Sequence, residues 1–186
     1  MSSGREKQLT MEIFWTADTH YDHNRIVTQY GRPFTDIYEM NQSLVDNIND
    51  IAGRRDLLYH LGDVSWCDPA IFFDLIKCRV KLVVGNHDKR RMRQLRRLAE
   101  SGRIEMFHGY LDLKINKQKI TACHYPMRAW NCSVHGAWLL HGHTHGKIEN
   151  PDFLTMDVGV DANEFKPVSH DQVINRMEQF KQGPQA

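Results

Sequence analysis

Thiols are few in this chain, and none are paired by spacing. Its four cysteines, Cys67, Cys78, Cys123 and Cys132, include no C-x-x-C pair. That excludes a zinc ribbon or a thioredoxin-like redox motif. The expectation is a reduced, cytoplasmic chain in which the cysteines serve as small core residues. Long apolar runs are missing too, so no segment reads as a bilayer span and no membrane partner is expected. The polar start, "MSSGREKQLT", has no apolar stretch of the kind a secretory signal requires. Neither sign of charge dominates. Lys and Arg number 24 against 23 Asp and Glu, a formal net charge of +1, which gives no global pull toward nucleic acid. There is no internal repeat and no interior linker. A single domain over residues 11–182 is therefore expected, with flexible ends at 1–10 and 183–186. A chain of 186 residues is long enough to bury a sizeable core.

What the chain does have is histidine, eleven in all. Most of them fall where hydrophobic runs break. "FWTADTHYDH", "HLGDVSW", "KLVVGNHDKR" and "AWLLHGHTHG" each begin as a buried strand and end in Asp, Asn or His. Between them lie amphipathic stretches. "DIYEMNQSLVDNINDIA" places Ile37, Met40, Leu44, Val45, Ile48 and Ile51 at helical spacing, with Gly53 closing it. "DPAIFFDLIKC" offers Asp68 as an N-cap and Pro69 at the first helical position. "KRRMRQLRRLAESG" reads as a third helix, ending at Gly102. The β-α-β-α-β-α order favours a parallel sheet. Farther on, the pattern predicts a hairpin around Asn116-Lys117, strands in "GAWLLHG" and "FLTMDVGV", and a closing helix capped by Ser169 or Asp171. The fold class predicted is α/β, with two sheets and flanking helices.

In open α/β sheets ligands bind outside the carboxyl ends of the strands. Asp18, His20, Asp63, Asn86, His87, His124, His143 and His145 all fall there. Taken singly, each has a bland explanation: Asp63 could cap a turn, and His124 could be a satisfied core histidine. Together they are hard to explain that way. Burying several carboxylates and imidazoles costs several kcal/mol unless something compensates them. A divalent ion does so, and two do so better. The donors are oxygen and nitrogen without thiolate, which suits Mn²⁺ first, with Fe, Zn²⁺, Ni²⁺ or Co²⁺ as alternatives. A carboxylate can bridge two such ions, and Asp63 is the natural bridge.

"DTH", "GDV", "GNHD", "CHYP" and "HGHTHG" follow one another from Asp18 to His145. In that order they resemble the calcineurin-like metallophosphoesterase superfamily. "ADTHYDHNRI" followed by "GRPF" also resembles its small stand-alone bacterial and phage members. The resemblance implies an α/β sandwich of two central mixed sheets flanked by helices. It implies one metal on Asp18, His20, Asp63 and His145, and a second on Asp63, Asn86, His124 and His143. His87 would be the catalytic histidine, with Asp88 orienting it. The substrate implied is a phosphate ester, attacked by a metal-activated hydroxide. A phosphodiesterase is favoured over a phosphomonoesterase, and a non-catalytic scaffold of the same fold is the alternative of a different class.

Three residues beyond the ligands are candidates for gripping substrate. His23 could reach a phosphate, and Asn24 could do so or cap a short helix. Arg128 could hold a second phosphate oxygen through its planar fork. Trp15, Trp66 and Trp138 read as core or rim aromatics. The basic run Lys89–Arg97 would usually be a solvated helix face. Yet it begins just after "GNHD" and its cations oppose the helix dipole. That placement suits an anionic substrate such as a nucleotide or a nucleic-acid end.

Overall fold

The β-branched and aromatic runs form the strands. In this computed structural model, which describes residues 11–148 and 154–182, the order is β1 (Ile13–Thr16), α1 (Asn24–Gln29), α2 (Ile37–Ile51), β2 (Leu57–His60), α3 (Pro69–Leu75), β3 (Arg79–Val83), α4 (Met92–Glu100), β4 (Ile104–Phe107), β5 (Tyr110–Ile115), β6 (Gln118–Cys123), β7 (Trp138–His141), β8 (Thr155–Asp157), β9 (Val168–Ser169) and α5 (His170–Gln182). The ends expected to be flexible lie outside the described residues, as does the Phe153 start of the "FLTMDVGV" run.

One sheet has the order β4-β3-β2-β1-β9 and the other β5-β6-β7-β8. In the first, β1 to β4 are parallel and β9 is an antiparallel edge. In the second, β6, β7 and β8 are parallel and β5 is antiparallel. The fold is therefore an α/β sandwich of two mixed sheets with flanking helices. Alternation along the strands assigns each face to its core. Phe14, Leu58, Val80 and Leu82 join residues of α2, α3 and α4 in one cluster. Trp15, Tyr59 and Val83 turn the other way, toward Ile120, Trp138 and Leu140 of the second sheet and Val173 and Met177 of α5. Trp15 stacks on Tyr59 at 4.4 Å between ring centroids inside this second cluster.

Local chemistry sets the element ends. Asp36 accepts from the Tyr38 and Glu39 amides at 2.9 Å each and starts α2, an N-cap worth about 1 kcal/mol. Met40, Leu44, Val45 and Ile48 form its buried face, whereas Ile51, in its last turn, stays exposed. Asp68 caps α3. Ser169 and Gln172 exchange bonds across the first turn of α5, so Ser169 is the cap rather than Asp171. Asn116 and Lys117 both take positive φ, 48° and 72°, as a two-residue hairpin of this hand requires.

The pattern left two short elements unread: β4 and β9. β4 is an edge strand of four residues containing Glu105, and β9 has only two residues. Neither is long enough to show a period. The basic run also divides. Asp88–Arg91 forms a 3₁₀ turn, and α4 proper begins at Met92. No described helix is long and apolar enough to cross a membrane. None of the four cysteines is disulfide-bonded; Cys78 and Cys123 are buried, while Cys67 and Cys132 are partly exposed.

Candidate metal centre

The polar residues follow the carboxyl ends of β1, β2, β3, β6 and β7, and the backbone turns them inward at a cost. Asp18, His20, Asp63, His143 and His145 all sit at positive φ, between 46° and 71°. Non-glycine residues avoid this region by about 1–2 kcal/mol each, and Asp and His enter it more readily than most. Such strain persists where surrounding structure over-determines it, typically at functional sites. Here the surroundings are backbone bonds between loops. The Asp18, His20 and Tyr21 amides donate to the carbonyls of Gly62, Asp63 and Val64, and Gly142 N–H donates to His124. Gly85 is needed for close approach, since a Cβ there would collide with Asp63 Oδ1 and the Asp63 amide.

Two clusters result. The side chains of Asp18, His20 and His145 can present ligand atoms within 4.8 Å of one another, and so can those of Asp63, His124 and His143. Asp63 joins them. Its Oδ1 accepts from the His87 amide at 2.8 Å. Its Oδ2 lies 3.7 Å from His20 Nε2, 3.4 Å from His124 Nε2 and 3.8 Å from His87 Nε2. Asn86 Oδ1 is 2.8 Å from His124 Nε2, while His124 Nδ1 faces the Leu61 carbonyl at 2.8 Å. The ring orientation of His124 is thereby set from behind.

A divalent cation suits these donors on electrostatic grounds. Asp18 Oδ2 accepts from the His143 amide at 2.7 Å, but its Oδ1 is buried without a hydrogen-bond partner, and so is His20 Nε2. Burial pushes the Asp18 carboxyl up to about 7 and the His20 imidazolium down to about 2. Asp63 is also buried, which opposes ionisation, yet the His124 hydrogen bond and charge, His20 and the His87 amide hold it down at about 2. Orphaned donors of this kind are compensated by a metal, which takes carboxylates ionised and imidazoles neutral.

The model of the calcineurin-like phosphoesterase superfamily domain matches residues 11–154. The chain belongs to that superfamily. An uncharacterised protein of Methanocaldococcus jannaschii is 28% identical over 181 residues, covering 91% of this chain and 93% of that one. A protein of unknown function from Aquifex aeolicus superposes with a TM-score of 0.69 at 21% identity, covering 90% of this chain and all of that one. An archaeal phosphodiesterase superposes at 0.50 with 19% identity, over 80% and 84% of the two chains. At these identities the two structural likenesses speak to the fold alone.

In this calcineurin-like domain the residues behind the ligands are as telling as the ligands. Neither Arg32 nor Asp161 stands out in the sequence pattern. Arg32 is buried, and its guanidinium donates to the Asp18 and Thr19 carbonyls at 2.7 and 2.9 Å and to both oxygens of Asp161 at 2.8 and 2.9 Å. Asp161 Oδ2 in turn lies 2.7 Å from His145 Nδ1, leaving Nε2 for the site. Asp157 holds the loop after β7, accepting from the Thr144 hydroxyl and the Gly146 amide. "GRPF" contains Arg32, but nothing local announces a partner 129 residues away. Replacing Arg32 with Met should cost about 3–5 kcal/mol, because the buried Asp161 charge loses its counterion. Urea denaturation of metal-free protein measures that loss, and wild-type stability would contradict the role.

Other candidate residues land differently from expectation. Asp88 makes no direct hydrogen bond to the His87 ring among the described residues. Its Oδ2 accepts from the Asp63 and Gly85 amides and its Oδ1 from the Val64 amide, at 2.8–2.9 Å. Its carboxylate thus sits among the amides of the loops after β2 and β3. His87, whose side chain is 35% exposed, faces the opening. His23, not Asn24, occupies the cap position of α1, and its side chain caps nothing. It stacks on Trp66 at 3.9 Å with ring planes 4° apart, and its ring centroid is 5.4 Å from that of His20. Trp66 is thus a rim aromatic, with its ring centroid also 5.4 Å from that of His87. Asn24 and Arg128 are exposed, and neither makes a side-chain hydrogen bond or ion pair with a described residue.

Proposed function

We propose that the chain is a metal-dependent phosphoesterase that works with two divalent ions and prefers phosphodiesters. The observation that carries this reading is Asp63 Oδ2, which faces His20 Nε2 at 3.7 Å and His124 Nε2 at 3.4 Å. One carboxylate oxygen thereby serves both clusters. Asp18, His20, Asp63 and His145 would hold one ion; Asp63, Asn86, His124 and His143 would hold the other. Two ions held there would supply charge neutralisation for phosphoryl oxygens and a water of lowered pKa. The oxygen and nitrogen donor set makes Mn²⁺ the first choice.

The chain's own residues do the rest. His87 stands 3.8 Å from Asp63 Oδ2 and is about one-third open to solvent, so it can meet the oxygen of a departing alcohol and give it a proton. Its amide is tied to Asp63 Oδ1, which holds the His87 backbone beside that carboxylate. Asp88 keeps the β2 and β3 loops together through their amides and so positions Asp63 and His87 indirectly. The His23–Trp66 stack forms one wall of the opening and can exclude water from one flank of the phosphate. A diester is the favoured substrate in this reading, and one protein of the same fold, at 19% identity, is an archaeal phosphodiesterase.

Protein stripped with a chelator should not hydrolyse bis(p-nitrophenyl) phosphate, and Mn²⁺ should restore turnover with two ions bound per chain. The diester should be a better substrate than p-nitrophenyl phosphate. Undiminished turnover without metal would overturn the reading, and a preference for the monoester would overturn the diesterase assignment.

A further inference from the structure

Beside the second metal cluster an open groove of about 500 Å³ runs away from the site, within the range of small-ligand pockets. Lys89, Met92 and Arg96 come to it from the Asp88–Arg91 turn and α4, while His108, Tyr110 and Tyr125 come from the margin of the second sheet. Gly85 and Cys123 also line it, and these flank Asn86 and His124. The groove is therefore lined by residues next in the chain to two of the candidate ligands. Tyr125 marks the junction. Its ring centroid is 4.7 Å from that of His143 and 4.9 Å from that of His124, yet the residue is 40% exposed. Tyr110 is 57% exposed.

The charge of the groove is one-sided. No carboxylate lines it among the described residues. Lys89 and Arg96 are exposed and make no ion pair with a described residue. Their neighbours in the basic run are differently engaged: Arg90 lies 5.0 Å over the Trp66 ring, and Arg91 donates to the Trp66 carbonyl. Two cations left free beside two open tyrosine faces make the combination that binds single-stranded nucleic acid, where charge tracks the backbone and aromatics stack the bases.

We propose that this groove holds the nucleotides next to the scissile phosphate of a single-stranded nucleic acid. A base stacks on Tyr125 or Tyr110, and the adjoining phosphate pairs with Lys89 and Arg96. The proposal rests on the phosphodiesterase reading for its catalytic meaning, but not for binding.

Binding is therefore tested on metal-free protein in chelator, by fluorescence anisotropy with a labelled pentathymidylate. The double variant Lys89→Gln, Arg96→Gln should weaken binding by about tenfold or more. It should also flatten the dependence of log affinity on log salt by roughly 1.4, the value for two single-strand phosphates. Tyr110→Ala should weaken binding by about tenfold through lost stacking. Lys114→Gln, which removes an exposed cation farther along β5, should leave affinity near the wild-type value. Equal loss in the Lys114 and Lys89/Arg96 variants would reduce the effect to general charge and overturn the proposal, as would no loss in either groove variant. Failure of the phosphoesterase reading shows separately, as wild-type protein with Mn²⁺ that does not turn over bis(p-nitrophenyl) phosphate.

Discussion

Asp63→Asn should strip the chain of both ions and of nearly all turnover. Its Oδ2 is the atom that faces both clusters, so replacing that oxygen by an amide nitrogen removes a ligand from each and turns an N–H toward His20 and His124. The substitution keeps size and keeps Oδ1 as an acceptor for the His87 amide, so the loop should hold its shape. Changing a residue that merely supports a ligand costs roughly 10–100-fold in metal affinity or activity; losing a shared ligand should exceed about 100-fold in both. Elemental analysis after gel filtration, with circular dichroism to verify the fold, reads the result. A folded variant with two tightly held ions and wild-type turnover would rule out the bridge.

His87→Ala should slow the reaction by about 10²–10⁴-fold while metal content stays at the wild-type level. The prediction comes from where the ring lies. It is near Asp63 Oδ2 but outside both clusters of ligand atoms, and it is open to solvent where a leaving group would depart. A proton donor matters most for alkoxides, which leave poorly as anions, and least for nitrophenolate. The ratio of wild-type to variant kcat should therefore climb with the leaving-group pKa across a series of diesters. A ratio that stays flat would assign His87 to holding the phosphate, and a lost ion would make it a ligand.

Much of this site was readable before any coordinates. The ligand types stand in the sequence in order, each just past an apolar run, and strand ends in an α/β sheet are where such residues meet. The long helix from Ile37 was legible for a similar reason: its buried face repeats often enough to show a period, and Asp36 announces its start. Short elements escaped because β9 and β4 offer two and four residues, too few for alternation to register. The resemblance implied Asp88 as the partner of His87, and the sequence had no sign of the loop amides its carboxylate takes up. A carboxylate flanked by free loop amides is drawn to those amides instead.

The sequence by itself determined the inventory: which donors exist, that none is a thiolate, and that they follow strands in an α/β order. Those properties depend on residue type and on spacing over a few residues, so they can be read along the chain. The tertiary structure decided which donors lie near enough to one another to hold an ion, because Asp18 and His145, like Asp63 and His143, come together only when two sheets close over their carboxyl ends. It also decided that Arg32 and Asp161 stand behind His145, that Trp66 lies on His23, and that Lys89 and Arg96 have no ion-pair partner among the described residues beside exposed tyrosines. Each of those facts is a contact between segments far apart in the chain. Such contacts are selected by packing and by the cost of burying charge, and neither has a signature in local sequence.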